Sequence, residues 1–491
     1  MKIIDKIRNG ICSFLRVQPA SPNTIYINER LDREANAIKN SVWYRGDSDE
    51  LAEMYKQLDS DHTKFWAAVP TVGMEIRKIH TGLPSIIVDR LADIVMTDMN
   101  DIIVPPNLTD TWREIAEENS FDKMLKGAVT KTLYIGDGAF KLSFDTKISK
   151  YPIVEFIAGD RVEFERERGR IRAVVFKTLY HHEHKEYTLI EKYGFGYIKS
   201  KLMRSSDEVP LNSIPQTANL APEVRFDSDF CMAIPLMFFD SAKWEGRGKS
   251  IFDGKCDAFD AFDEAWSQWM DALRKGRTKE YIPDNMLPRD SRTGEVLMPN
   301  AFDNAYIKVD TDMRENSSQK TEVVQPSIPH ESYLSTYVTA LDLCLQGLIS
   351  PSTLGIDVKK LDNAEAQREK EKATLYTRNA IIDVLQKTVP KLINNIFKTY
   401  DTFYERTVSD IDVEVPFGEY ANPSFESQVE TCGKARQFGL MSVETMVDEL
   451  HGDTRSPEWK REEVARIKSE QGIAEMDAEP SLQDELGGLI G

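Results

Sequence analysis

Hydrophobic and polar positions recur with a period that changes along this chain, and each change marks an element. Over residues 111–133, Trp112, Ile115, Phe121, Leu125 and Val129 recur at helical spacing. Ile87, Leu91 and Ile94/Val95 line one face of a helix over 85–96, with Ser85, after Pro84, as its expected N-cap. Residues 49–58 predict a short helix and 63–79 another apolar-rich segment, ending near Gly82-Leu83-Pro84. The period then drops to two. Segments 139–144, 154–157, 161–165, 172–180, 186–192 and 195–202 predict strands of an antiparallel sheet, several joined at Gly-containing turns. A long loop follows through Pro210, Pro215 and Pro222.

The stretch 241–347 predicts two antiparallel helices carrying a small β-rich tip. Phe259, Phe262, Trp266, Trp269, Met270 and Leu273 fall on one helical face, and Asp260, Glu264, Ser267 and Asp271 on another. Taken from Trp244 to Lys275, this helix would be roughly 45–50 Å long at 1.5 Å per residue. Pro283, Pro288 and Pro299 interrupt helix, Ser291-Arg292-Thr293-Gly294 forms a turn, and 295–298 and 305–309 predict short strands. Helical spacing returns after Pro326 and Pro329 with Tyr333, Tyr337, Leu341, Leu345 and Leu348. One hairpin gives its aromatic face little to pack against, so the pattern implies a partner.

Pro351 and Gly355 then mark a loop, and Asp362 followed by Glu365 has the spacing of a capping box. The long helix after it is striped by Leu375, Ile382, Leu385, Val389, Ile393, Ile396 and Tyr400, with a kink expected at Pro390. Residues 411–416 predict a strand and 423–473 a helical region, with Ser456-Pro457-Glu458 as a helix start. The tail beyond is acidic.

Composition narrows the choices. With 491 residues the chain exceeds one ordinary core, so several lobes are expected. A hydrophobic content of 41% and a charged content of 29% are those of a soluble globular protein, and no run reaches the length of a membrane span. The start, MKIIDKIRNGICSFLRV, places Ile3, Ile7, Ile11 and Phe14 on one face; it predicts an amphipathic docking helix or a membrane-surface helix, not a secretory signal. Five scattered cysteines without a C-x-x-C pair fit a reducing cytoplasm and argue against a disulfide framework or a zinc site. A formal charge of −19 excludes a conventional DNA binder that grips over its whole surface; any DNA contact must be local or weak.

Catalytic patterns are sparse. Gly136-Asp137-Gly138 lacks the residues that complete a phosphate loop, so it predicts a hairpin or strand-entry turn. His181, His182 and His184 end a strand; two of them could hold a metal, but a third ligand at definite spacing is missing, and solvated histidines are the alternative. H-E-x-x-H and G-x-S-x-G are absent. No catalytic residue, cofactor or metal is assigned.

The segments SVWYRGDSDEL, LYIGDGAFKLSFD, the long helix with its proline-rich tip, and ISPSTLG…NAEAQREKEKATLYTRN follow one another in an order that resembles the portal proteins of tailed bacteriophages, in the branch common among phages of Gram-positive hosts. The resemblance runs from about Ile38 to Ile473. It implies an α+β, multi-lobe subunit that forms a ring, usually of twelve copies, at one capsid vertex. The lobes would be an N-terminal α/β wing (1–240), a first stem helix (241–282), a clip (283–328), a second stem helix (329–348), a tunnel loop (349–362), a long wing helix and strand (363–420), a helical crown (421–475) and a mobile acidic tail (476–491).

Such a ring packages and ejects double-stranded DNA without chemistry of its own. The implied partners are the major capsid and scaffolding proteins, the large subunit of a separate terminase ATPase, and a head-completion adaptor, with no membrane. The implied location is the virion, after assembly in the host bacterial cytoplasm. Within that frame Phe259, Phe262, Trp266 and Trp269 would pack between neighbouring subunits. Asp260, Glu264 and Asp271 would line the channel and let a duplex slide past, the alternative being an ordinary solvated face. Arg274, Lys275, Arg277 and Lys279, where stem meets tip, either touch phosphate transiently or favour a helix C-terminus. Arg292, Glu295, Asp303 and Asp310 are the clip candidates for adaptor and terminase docking. Asp357, Lys359 and Lys360 belong to the implied tunnel loop, as a DNA-holding ring of cations or as solvated loop residues. The rival readings are a metal-dependent nucleic-acid-processing enzyme and a structural ring of a DNA-free phage-like particle.

Overall fold

The computed structural model describes residues 31–58, 63–72, 75–226, 230–283, 287–297, 305–309, 322–356, 364–418, 425–451 and 457–470. The expected N-terminal docking helix, Asp303, Asp310, Asp357, Lys359, Lys360, Asp362 and the acidic tail lie outside these residues.

Helix α1 (Arg33–Arg45) starts where the Asp32 carboxylate accepts from Ala35 N at 2.7 Å, and α2 (Ser48–Leu58) follows. Helix α3 (Leu83–Thr97) begins after Gly82, so the expected cap Ser85 lies inside it; its hydroxyl donates back to the Gly82 carbonyl at 2.9 Å. The single helix expected over 111–133 is two, α4 (Thr109–Glu118) and α5 (Phe121–Ile135), turned apart at Ser120 with φ +45°. Where it is described, at 63–72 and 75–79, the segment expected to be apolar-rich is an irregular strap without helix, with a turn at 65–67.

The period-two region forms antiparallel sheet throughout. Strands β1 (Asp137–Ser143), β2 (Ile153–Ala158) and β9 (Ala233–Met237) make one sheet, with β1 central. Strands β3 (Val162–Glu167), β4 (Arg170–His182), β5 (Lys185–Gly194), β6 (Tyr197–Arg204) and β7 (Asp207–Val209) make the second in sequence order, and β8 (Glu223–Arg225) adds to β6. The buried Lys141–Glu191 ion pair ties the two sheets together, its ammonium lying over the rings of Phe176 and Tyr193.

Helix α6 (Cys256–Lys275) opens the hairpin. At 20 residues it is about 30 Å long, shorter than expected because Gly246 (φ +74°) and Gly254 (φ +81°) hold 241–255 in turns. The tip is a three-stranded sheet in which β10 (Lys279–Pro283) pairs in parallel with β11 (Ala305–Val309) and antiparallel with β12 (Glu322–Val324). The strand expected at 295–298 is reduced to a bridge between Arg289 and Val296. Helix α7 (His330–Leu345) returns, and α8 (Ala364–Phe403) runs on through Pro390. Instead of a strand at 411–416, Glu414 and Phe417 form isolated bridges to Ile103 and Met99.

One continuous core joins these parts. Trp43, Ile87, Leu91, Leu125, Phe140, Phe252 and Phe259 meet Leu341 and Cys344 of α7 and Ile381, Leu385, Val389 and Ile396 of α8. Each such side chain contributes about 1.5–3 kcal/mol by leaving water.

The described residues after Phe417, that is 418, 425–451 and 457–470, cluster as a separate unit. Its helices α9 (Phe425–Gln437), α10 (Val443–His451) and α11 (Pro457–Glu470) lie within the helical region expected over 423–473. Val443 and Val447 are buried, His451 packs edge-on against Trp459, and Lys468 and Lys460 pair with Glu444 and Asp448. Among the described residues, no helix is long and apolar enough to cross a membrane.

Candidate functional site

The α6–α7 hairpin is the part the sequence marks most strongly, and its faces are used differently from expectation. Three acidic residues of α6, together with Ser267, point into the protein. Asp260 accepts from the backbone N–H of Phe65 at 2.9 Å and of Trp66 at 3.1 Å. Asp263, 1% exposed, accepts from His80 Nδ1 at 2.7 Å, Trp66 Nε1 at 3.2 Å, Thr81 N at 3.0 Å and Thr81 Oγ1 at 2.9 Å. Ser267 Oγ accepts from Ile79 N at 3.0 Å. These side chains lash the strap (residues 63–72 and 75–81) across α6, supplying acceptors that an irregular segment does not find in itself. From the strap, the Lys78 ammonium donates to the carbonyls of Trp66 and Ala68, both at 2.9 Å.

Burial pushes the Asp260 carboxyl up from the usual carboxylate range, and the two strap amides draw it back. The expectation that Asp260 and Asp271 line a channel is therefore corrected: both are buried in their own subunit. Their spacing suggested a solvated face because carboxylates seldom go inside unpaired, yet here the strap and Lys275 are the partners. Glu264 is the acid of the predicted set that stays partly exposed, accepting from Gln268 Nε2 at 2.7 Å.

The aromatic face is likewise divided. Phe259 packs against Trp43 and Phe252 in the core, and Phe262 is 3% exposed against Tyr337 at 4.8 Å between centroids. Neither is free to join a neighbouring subunit, which corrects that expectation for both. The core reaches further along α6 than a lone hairpin would allow, because α1 and the strap pack against its base. Trp266 and Trp269 remain half-buried against Tyr337 (5.5 Å) and Tyr333 (6.3 Å, rings near parallel).

At the far end of α6, Lys275 Nζ lies 2.7 Å from Asp271 Oδ2 and Arg274 4.0 Å from its other oxygen, so part of the basic cluster is neutralised within one turn. Arg277 and Lys279 follow, at the entry to the tip sheet. At the near end the Lys255 ammonium donates to the carbonyls of Leu343 and Gln346, both at 2.8 Å, closing the C-terminus of α7. In the tip, Arg292 and Glu295 sit in a tight turn in which the Arg292 N–H donates to Asp290 Oδ1 at 2.7 Å and the Glu295 carbonyl accepts from Asp290 N.

Two other sequence candidates are placed. Asp137 of the Gly-Asp-Gly motif enters β1 and is taken up by Arg247 and by the Gly248 N–H, so it is a strand-entry anchor. His181 and His182 end β4, and Glu183 and His184 form the hairpin turn with φ +49° and +61°. Among the described residues, no three His, Cys, Asp or Glu side chains are grouped to hold a metal. The strap, Asp263 and Arg247 were missed. The signal for Asp263 was its spacing from Asp260 and Ser267 on one helical face.

No protein-family model matches the chain, and no curated protein matches it in sequence. Among solved structures, a chain from the virion of a native gene transfer agent (GTA) particle is similar at 13% identity and a TM-score of 0.38, over 75% of this chain and 89% of that one. A chain from the neck of a native GTA particle computed with C12 symmetry is similar at 12% identity and a TM-score of 0.38, over 78% of this chain and 89% of that one.

Proposed function

We propose that this chain is a portal-type subunit: a non-enzymatic structural protein whose copies close into a ring through which double-stranded DNA passes at one vertex of a phage-type capsid. The observation that carries the reading is the antiparallel α6–α7 hairpin, rooted in a large α/β body and ending in its own three-stranded sheet. The order of segments in the sequence supports the same reading.

In the ring, the hairpins form the stem and the β10–β12 tip forms the clip that docks terminase and then the head-completion adaptor, with Arg292, Glu295, Asp303 and Asp310 as contacts. Glu264 and the Arg274, Lys275 and Arg277 cluster face the passage. Asp357, Lys359 and Lys360 form the tunnel loop. Capsid and scaffolding proteins engage the wing.

Negative-stain electron microscopy and mass photometry of the purified chain test this. Rings of uniform size are expected; a monomer at micromolar concentration overturns the proposal. Divalent-metal-dependent cleavage of DNA by the pure protein would favour the enzyme reading instead.

A further inference from the structure

A groove of about 1000 Å³ opens where the end of α3, residues 99–102, α4 and the first turn of α5 meet. Its floor is Trp112, 7% exposed, edge-on to Phe121 at 5.1 Å between ring centroids. Half-buried Met96, Met99, Ile102 and Ala116 form its walls. The wall of residues 99–103 is held in place by Asn100 N donating to the Pro416 carbonyl and Ile103 N to that of Glu414, both at 2.9 Å. The groove is therefore preformed.

Charge around it is unbalanced once internal pairs are removed. Arg113 pairs with Asp110 at 3.3 Å and Lys126 with Asp93 at 2.6 Å. Among the described residues, Asp101, Glu117 and Asp122 have no ion-pair partner, and Lys123 is the one cation left beside them; all four are exposed. The surface calls for an occupant that is apolar on one side and basic along its edges.

The chain itself contains such a segment. On a helix, Ile3, Ile7, Ile11 and Phe14 fall within a stripe about 80° wide, and Lys6 and Arg8 border it roughly 100° to either side of its centre. Lys2, Asp5 and Arg16 lie further round. The acidic C-terminal tail has the wrong sign for the same place.

The segment is also within reach. The start of α1 is held beside the C-terminal end of α5, with Arg33 Nη2 donating to the Val162 carbonyl at 3.2 Å and Ala37 packed with Ile135. The groove lies at the other end of α5, about 22 Å away along its axis. Residues 18–32 span up to about 50 Å when extended, which bridges that distance.

We propose that residues 1–17 seat as an amphipathic helix in this groove of their own chain. Ile3, Ile7, Ile11 and Phe14 cover Trp112, Met96 and Met99, and Lys6 and Arg8 meet the carboxylates of Asp101, Glu117 and Asp122. Of the two roles open to the amphipathic start, this assigns docking on the protein's own body over lying on a membrane. The inference goes beyond the ring reading and does not depend on it.

The test uses the full chain with the photocrosslinking residue p-benzoylphenylalanine in place of Ile7. Equal parts of isotopically light and heavy chain are mixed before assembly, irradiated and read by peptide mass spectrometry. Crosslinks to Met96 or Met99 in peptides of a single label are expected. Charge reversal with Glu117→Lys and Asp122→Lys, both exposed, is expected to lower their yield at least fivefold, and Lys6→Glu with Arg8→Glu in the same chain to restore it. Mixed-label crosslinks would place the segment on a second copy. Crosslinks elsewhere or none, or a yield that charge reversal leaves unchanged, would remove the groove as its site; each of these outcomes overturns the proposal. Flotation of the full chain with anionic phospholipid vesicles in place of the crosslink overturns it too. The size of the assembly in the same sample tests the ring reading separately.

Discussion

Arg247 holds the Asp137 carboxylate with both arms of its guanidinium, Nε donating to Oδ2 at 2.7 Å and Nη2 to Oδ1 at 2.6 Å. Asp137 is 2% exposed, and Arg33 stands 3.7 Å away as a second cation. The same guanidinium donates to the carbonyls of Val162 and Gly159, so one side chain joins β1, the start of β3 and the loop before α6. The approach is close: a Cβ on Gly159 would lie 1.9 Å from Asp137 Oδ1.

Replacing Arg247 with Met should therefore strand a buried carboxylate. The expected loss is about 3–5 kcal/mol, reduced to the extent that Arg33 moves in. Urea unfolding of the purified variant measures it. A loss under about 1 kcal/mol, the range of an exposed pair, would show that the network is not buried as described.

The strap gives a second prediction. Asp263→Ala leaves the Trp66 indole N–H and the Thr81 amide without acceptors, each costing about 1–3 kcal/mol when buried. The strap should open before the rest of the fold does. Limited trypsin digestion read by mass spectrometry should show faster cleavage at Lys64, Arg77 and Lys78 than in the wild type. Equal rates would mean that Asp263 does not hold the strap.

These residues also show where the sequence was legible and where it was not. Helices with an unambiguous apolar stripe, α7 and α8, and strands that alternate, β5 and β6, were readable because their burial depends on local period alone. The start of α6 was overextended although Gly246, Gly248 and Gly254 punctuate it. The aromatic spacing outweighed a turn signal that was present. Asp260 and Asp271 were assigned to the channel wall, with a solvated face as the alternative, because residue type predicts exposure unless the partner is known. For Asp260 that partner, the strap, is an irregular segment with no period of its own. The Arg247–Asp137 pair spans 110 residues, a separation that no local pattern encodes.

Acid should act on the C-terminal unit in one direction. Lys468 and a backbone N–H hold the Glu444 carboxyl down at about 2. A depressed folded-state pKa gives stability that is full above the ordinary carboxylate range and is lost as pH falls through the folded value. The difference in melting temperature between wild type and Glu444→Gln should thus be present at pH 6 and vanish near pH 2. A difference that grows towards acid would reverse the assignment.

The tunnel-loop assignment is tested separately from assembly. Lys359→Glu with Lys360→Glu should leave ring formation intact and impair DNA packaging or retention. Packaging at the wild-type level would remove the loop from that role.

The central claim, that the α6–α7 hairpins surround a passage for DNA, is tested most directly by a symmetric cryo-electron microscopy reconstruction of the purified assembly. The account predicts a closed ring with the hairpins around a continuous axial opening wide enough for a duplex. A ring with the hairpins on its outer rim, or with no axial passage, would contradict it.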